Sequence, residues 1–239
     1  RPKVRSRVCS SRASSGKDGK SDKGGIADMK YESKKDETSC YTAKEKPALV
    51  TVPRWRFLTI RGTGNPNGAD FSERVGVLYS LAFPIKMGFK AAYAKDPALR
   101  AGCAYEDYTV FPLEGVWSTS DPSDPLNKDK FVYTIMIRHP DFVPPELFEA
   151  AFAQTSKKKP HPLLDEVVFE EMEDGFCAQV LHKGSFDGEP ASFAKMDRLC
   201  AQNGYARLNH IHREIYFSDP RRTAPENLRT ILRYQVRPL

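Results

Sequence analysis

Hydrophobic positions in the first half of the chain follow strand-like and helix-like spacing in turn. The run 50–61 is apolar and β-branched and ends in a turn rich in Gly, Asn and Pro, which predicts a strand. Apolar residues then recur at helical spacing from Phe71, which predicts an amphipathic helix that stops before Pro84. Two further strands are predicted over 107–117 and 130–138, joined by a long loop rich in Ser, Asp and Pro.

The second half repeats this order of elements. Strands are predicted over 166–172 and 175–183, followed by a helix over 190–203 with proline at its first position. Strands over 210–217 and 230–237 complete the half. Each half is therefore a strand–helix–strand–strand unit, and internal repetition of this kind indicates a duplicated module.

The domain prediction follows from this repetition. Repeat one covers about 48–140, a linker helix about 144–158, and repeat two about 165–239, within one domain over 29–239. The polar stretch 31–47 is predicted to be an irregular, extended lead-in. The fold class is α+β, in which duplicated βαββ units form one concave antiparallel sheet with helices on one face.

One glutamate stands inside an apolar strand of each half. Glu114 precedes Arg138 at the end of its half by 24 residues, and Glu214 precedes Arg237 by 23. A buried carboxylate needs a charged or hydrogen-bonding partner, contact with water, or a cationic ligand. Because pockets form where repeats meet, the two glutamates are predicted to face a shared groove.

The net charge of +6 belongs to the N-terminal tail. Residues 1–30 hold nine Lys/Arg and three Asp, so the rest of the chain is balanced. This balance argues against direct nucleic-acid binding by the folded part. Residues 1–28 are rich in Ser, Gly, Lys and Arg and are predicted to be a disordered basic tail. A leader or vector-derived segment is favoured over a targeting signal or a functional basic arm.

Composition also bears on the compartment. No apolar run approaches the length of a membrane helix, so no membrane association is expected. The five cysteines lack any CxxC spacing, which favours a reducing compartment, and a cytoplasmic location is predicted. We expect a monomer or a weak homodimer.

Four runs of the chain resemble one known family. They are the turn 64–67, the strand 107–117, the segment 159–164 and the long run 212–226. The chain resembles the stand-alone GyrI-like small-molecule-binding proteins from residue 29 to its end. The resemblance implies a pair of βαββ units of the SHS2 type around a central groove. Relatives fused to DNA-binding heads are multidrug-responsive activators, and some stand-alone relatives hydrolyse cyclopropane-bearing, DNA-alkylating antibiotics.

The resemblance also implies the residues of the groove, with Glu214 as its central carboxylate. The implied ligand-binding residues are Glu214, Tyr216, Glu114, Trp117, Tyr133 and Tyr108. Aromatic walls around a carboxylate suit aromatic, amphipathic or cationic molecules, which predicts drug or toxin binding and detoxification. The alternative is a hydrolase that opens strained cyclopropane rings, with Glu214 as general base and Glu114 as the second catalytic carboxylate.

The residues alone leave other interpretations open. Either glutamate could instead be a structural ion pair with Arg213 or Arg61, its aromatic neighbours filling the core. His210 and His212 share one strand face, but no third ligand is visible, so no metal and no cofactor are expected. A transcription regulator is disfavoured because residues 1–30 are too short and too Gly/Ser-rich for a helix-turn-helix head.

Overall fold

Strands make up most of the framework in the computed structural model, which describes residues 29–239. The predictions on residues 1–28 lie outside the described residues. The strands are β1 (Lys30–Tyr31), β2 (Ala48–Thr63), β3 (Asp107–Tyr108), β4 (Leu113–Thr119), β5 (Phe131–His139), β6 (Val168–Lys183), β7 (Tyr205–Arg207), β8 (His212–Tyr216) and β9 (Arg229–Pro238). The helices are α1 (Ser33–Asp36), α2 (Thr38–Tyr41), α3 (Ala69–Lys95), α4 (Pro97–Gly102), α5 (Glu146–Lys158) and α6 (Glu189–Gln202).

Six of these strands form a closed antiparallel ring in the order β6-β2-β5-β4-β8-β9, because β9 also pairs with β6. Strand β7 adds to β9 outside the ring, and β1 pairs with β3 in a separate two-stranded sheet. The predicted mixture of helices with an antiparallel sheet is confirmed. The sheet is curled into a barrel, which removes exposed edges from its main strands.

The two faces of the barrel sheet differ in chemistry. Successive residues of a strand alternate between faces, and paired residues share a face. The outer face carries apolar side chains such as Leu58 and Ile137, which pair across β2 and β5 and are fully buried. Helix α3 packs on β2 and β5, and α6 packs on β6 and β9. Part of the hydrophobic core therefore lies between the barrel and these two helices, and part of it, including Phe57 and Ile215, lies inside the barrel.

The barrel interior holds charged side chains among apolar ones, and the N-terminal segment covers it. The prediction of an extended lead-in over 31–47 is wrong, because the chain forms α1 and α2 there. Arg138 donates to Glu37 at 2.6 Å, and Arg233 donates to the carbonyl oxygen of Cys40 at 2.6 Å. These buried arginines need acceptors, and the short helices supply them. The segment is fixed by partners that lie far away in sequence.

Helix α3 also departs from prediction, since it runs through Pro84 to Lys95. Proline inside a helix loses one backbone hydrogen bond and usually breaks it. Here the helical spacing of buried residues continues to Ile85 and Phe89, which are 2% and 0% exposed. Their burial offsets the missing bond. The predicted linker helix is present as α5, whereas α4 and β7 were not predicted.

Candidate functional site

A large groove lies on the outer face of the barrel, above the β4–β8 pair and between α3 and α6. Its volume is about 1610 Å³. Helix α3 contributes Phe71 and Phe83 to its wall, and α6 contributes Glu189 and Phe193. We call this space the inter-helix cavity. It is large enough for a molecule with several fused rings.

Strand register decides which side chains reach the floor of this cavity. Glu214 of β8 pairs with Gly115 of β4, and Trp117 pairs with His212. Because paired residues share a face, these side chains all project outward, together with Tyr216 two residues after Glu214. All of them except the glycine line the cavity. The absence of a side chain at Gly115 leaves room for the Trp117 indole, since a Cβ there would lie 2.5 Å from Nε1.

Aromatic side chains from three elements form one wall. The Trp117 indole Nε1 donates a hydrogen bond of 2.8 Å to the hydroxyl oxygen of Tyr216. Phe71 stacks on Trp117 with ring centroids 5.9 Å apart and meets Tyr133 edge-on at 5.2 Å. Tyr133 is buried behind this wall, and its hydroxyl donates to Asp70 at 3.3 Å. Burial, followed by the Asp70 carboxylate, raises the pKa of Tyr133 to about 12.

Three titratable side chains meet at the floor of the cavity. His212 Nε2 lies 2.9 Å from Glu214 Oε1, and the two groups form a hydrogen bond. Single ligand atoms of Glu189, His212 and Glu214 all lie within 4.8 Å of one another. Burial is the main cause that raises the pKa of Glu189 to about 9, and the Glu214 carboxylate adds to it. Burial and the same carboxylate raise the pKa of Tyr216 well above its usual value.

This cluster of Glu189, His212 and Glu214 has enough donors for three metal ligands, as an open metal site requires. The bond between His212 and Glu214 already gives each group one partner without an ion. Two carboxylates in close contact can also share one proton. We assign no metal to the cluster.

Glu114 lies on the opposite side of the same sheet from Glu214. It pairs with Ile215, one position along from the Glu214–Gly115 pair, so its side chain points into the barrel. There it is 0% exposed and accepts hydrogen bonds from Tyr41 Oη at 2.6 Å and Arg213 Nη1 at 2.9 Å. The structure does not bring the two glutamates together in one groove. Pairing with Arg213 is the structural alternative that the sequence left open.

Asp174 completes the polar network around Glu114. Its carboxylate receives two hydrogen bonds of 2.7 Å from Arg213 and one of 3.3 Å from Arg233. Burial acts to raise the pKa of Asp174, but the two guanidinium groups outweigh it and the pKa is lowered. Glu114, Arg213, Asp174 and Arg233 are thus linked in one ion-pair network inside the barrel.

Tyr108 is also remote from the inter-helix cavity. It is fully buried beside β1, and its hydroxyl lies 3.2 Å from His139 Nδ1. It contributes to the core near the end of α3, where Phe89 lies 5.9 Å from it.

Most cavity residues were not predicted as site residues, among them Glu189, Phe193 and Arg207. An acidic residue in the first turn of a helix is ordinarily explained by the helix dipole, so Glu189 gave no signal. Arg207 lies in the short strand that was not predicted. Its guanidinium stacks 4.9 Å from the Phe193 ring, and burial lowers its pKa. Phe193 also meets the His212 ring edge-on at 5.0 Å.

Comparison with known protein families shows to which family this chain belongs. The family described as GyrI-like small molecule binding domain matches residues 45–237. The chain belongs to the GyrI-like family. The matched range of this GyrI-like domain includes every cavity residue discussed above, whereas the N-terminal helices α1 and α2 precede it.

Solved structures from Listeria innocua are similar to this GyrI-like domain over almost their whole length. One is an uncharacterized conserved protein, 34% identical, with a TM-score of 0.75, and the match covers 86% of this chain and 99% of that chain. Another is described as a hydrolase, is also 34% identical, and has a TM-score of 0.76 with 87% and 100% covered. A search of functionally curated proteins finds no match. None of the described helices has the length and hydrophobicity to cross a membrane.

Proposed function

We propose that this GyrI-like protein binds amphipathic, aromatic or cationic small molecules in the inter-helix cavity, as a drug- or toxin-binding protein in detoxification. The observation that carries this proposal is a carboxylate at the floor of an aromatic-walled cavity. Glu214 is 7% exposed and forms a hydrogen bond with His212 at 2.9 Å. A carboxylate so placed favours a ligand that brings positive charge, while the rings of Trp117 and Phe193 favour flat apolar surfaces.

The cavity also fits the proposed duplication of the chain. The order β2-α3-β4-β5 in about 48–140 is the same as β6-α6-β8-β9 in about 165–239, with α5 between them. The second strands of the two proposed repeats, β4 and β8, pair at the cavity floor. We therefore propose that the ligand lies at the seam of two βαββ units. Binding is proposed for a monomer or weak homodimer in the cytoplasm, without direct contact to nucleic acid.

The residue roles follow from this geometry. Glu214 supplies the charge, and Trp117 and Tyr216 supply the aromatic surface of the floor. Tyr133 lies behind the wall and positions Phe71, with which it is in edge-on contact. Glu114 and Tyr108 are proposed to act on the ligand only through the fold, because neither reaches the cavity.

Fluorescence titration with ethidium, a planar aromatic cation with a permanent charge, tests the proposal. The wild-type chain is expected to bind in the micromolar range, and Glu214→Gln is expected to weaken binding about tenfold or more. Glu226→Gln changes an exposed carboxylate and serves as the matched control, with unchanged affinity expected. Binding that survives Glu214→Gln unchanged would exclude the role given to Glu214.

The second candidate function is hydrolysis of electrophilic toxins that carry a strained cyclopropane ring. Two observations favour it. A neighbour 34% identical over its full length is described as a hydrolase. The contact between His212 and Glu214 also places a carboxylate where it can accept a proton from water.

Incubation with a cyclopropane-bearing DNA-alkylating aromatic compound separates the two functions. A hydrolase gives a water adduct faster than buffer alone, and Glu214→Gln abolishes the excess rate. Product formation at no more than the buffer rate would exclude enzymatic hydrolysis of this class of compound. That result would still be compatible with the binding function.

A further inference from the structure

Glu189 is the least satisfied carboxyl group of the cavity. It is the first residue of α6, lines the cavity and is 8% exposed. Its Oε1 atom is buried and has no hydrogen-bond partner among the described residues. A buried polar atom without a partner is uncommon and marks a place where a ligand or a proton is expected.

We propose that Glu189 is a proton donor of the cavity and that it works with Glu214 as one acid–base pair. This inference rests on the proposed function of the cavity, and it assigns to Glu189 a role that the ligand-binding proposal does not require. Glu189 carries the shared proton and is neutral, whereas Glu214 is the charged member of the pair.

The contacts of the two groups decide where the proton resides. Two carboxylates whose oxygens lie within 4.8 Å in a buried site repel each other strongly when both are charged. His212 Nε2 lies 2.9 Å from Glu214 Oε1 and, in the tautomer that carries a proton on Nε2, donates to this carboxylate. Among residues 29–239, no donor reaches Glu189 Oε1 to stabilise a negative charge. The proton therefore belongs on Glu189, and its raised pKa agrees with this placement.

Titratable groups from three neighbouring segments surround Glu189. Strand β8 contributes His212, Glu214 and Tyr216, and the turn before α6 contributes Asp187, whose charge also raises the pKa of Glu189. His182 of β6 adjoins Gly188, but its two ring nitrogens are already bonded to Ser192 Oγ at 3.0 Å and the Ser185 carbonyl oxygen at 2.9 Å. The N-terminus of α6 favours a charged carboxylate, and it is opposed by burial and by two acidic neighbours.

A neutral carboxyl group gives the cavity a hydrogen-bond donor beside an anion. The Glu189 hydroxyl can donate to a carbonyl or phenolic oxygen of a bound aromatic molecule, while Glu214 attracts its positive charge. The pair thus favours ligands that carry one oxygen acceptor and one cationic or electrophilic carbon close together.

The same pair of carboxyl groups can catalyse a ring-opening reaction in which water is the only co-reactant. The Glu214 carboxylate takes one proton from water, whose oxygen bonds to the cyclopropane carbon. The breaking C–C bond sends its electron pair to the conjugated carbonyl oxygen of the substrate, and Glu189 protonates that oxygen. Glu214 then returns its proton to Glu189. The net change is the addition of one water molecule, and both carboxyl groups are restored.

Infrared spectroscopy of the full chain without ligand tests the protonation state directly. With ¹³C-labelled glutamate, a band of a neutral carboxyl group is expected at pH 7 in the wild type. The band should be absent in Glu189→Gln, which keeps the shape of the side chain. It should persist in Glu226→Gln, the control, which changes an exposed glutamate outside the cavity. Absence of the band in the wild type, or its persistence in Glu189→Gln, overturns the inference.

Ethidium affinity as a function of pH gives a second readout. As Glu189 loses its proton, the cavity gains a negative charge, so wild-type affinity is expected to rise at least about threefold between pH 6 and 9.5. Glu189→Gln should bind with no such rise. An equal rise in both proteins overturns the inference. If ethidium does not bind the wild type at all, the proposed cation-binding function fails, while the infrared band still decides the state of Glu189.

Discussion

Replacement of Glu114 by alanine is expected to lower the stability of the fold and to leave ligand binding unchanged. The substitution removes the acceptor of Tyr41 Oη and of Arg213 Nη1 from a site that is 0% exposed. Arg213 then keeps only Asp174, which it shares with Arg233. Removal of one partner from a buried ion pair costs about 3–5 kcal/mol, because the other charge is left poorly compensated.

That cost is large enough to measure in several ways. For a chain of this size, each kcal/mol lowers Tm by roughly 2–4 °C, so Glu114→Ala is expected to lower it by roughly 6–20 °C. Urea unfolding gives the free energy, and ethidium titration well below the new Tm gives the affinity. Glu114→Gln should cost less than alanine, because the amide oxygen still accepts one hydrogen bond. Glu226→Ala, at an exposed position, is the control, with a change within about 0.5 kcal/mol.

Ethidium affinity is expected to be unchanged in Glu114→Ala at temperatures where the variant is folded, because the side chain points away from the cavity. A variant of wild-type stability, or a folded variant that has lost binding, would refute this assignment of the two glutamates to opposite faces.

Three further predictions concern the cavity and the tail. Gly115→Ala places a Cβ 2.5 Å from Trp117 Nε1 and 3.2 Å from Tyr216 Oη. The substitution should lower the free energy of unfolding by about 1–3 kcal/mol and weaken ethidium binding. Unchanged affinity would show that the Trp117 indole is not part of the binding site. Glu189 has a raised pKa, so its contribution to stability is present at low pH and lost as pH rises toward about 9. In urea unfolding, the wild type should therefore lose up to about 1.4 kcal/mol per pH unit relative to Glu189→Gln between pH 5 and 8, and a constant difference contradicts this. Removal of residues 1–28 should leave Tm and ethidium affinity unchanged, and a large loss of either would show that the tail packs on the fold.

Local sequence patterns predicted most of the strands and helices. Where the prediction was wrong, contacts with residues far away in sequence determine the observed structure. The spacing of apolar residues in α5 and α6 is enough to locate these helices, because each buries one face. The short apolar runs in β2 and β9 locate these strands, whose central residues are buried on both faces of the sheet. The N-terminal segment has no such pattern. It is helical because Arg138 and Arg233, far away in sequence, need its acceptors. The proline at position 84 gave a stop signal that the burial of later residues overrides.

The site was predicted in part for a related reason. Glu214, Trp117 and Tyr216 stand in recognisable strand motifs, and all three line the cavity. Glu114 stands in an equally apolar strand, but a shift of one residue in register turns it to the other face, and sequence alone does not fix register. Glu189 could not be inferred, because its proximity to Glu214 arises only when α6 packs on the barrel.

A crystal structure of the full chain with bound ethidium would test the central claim most directly. We predict that the ring system lies in the inter-helix cavity between Trp117 and Phe193, with its positive charge closest to Glu214. Ethidium found in the barrel interior beside Glu114, or only on the outer surface away from α3 and α6, would contradict the account.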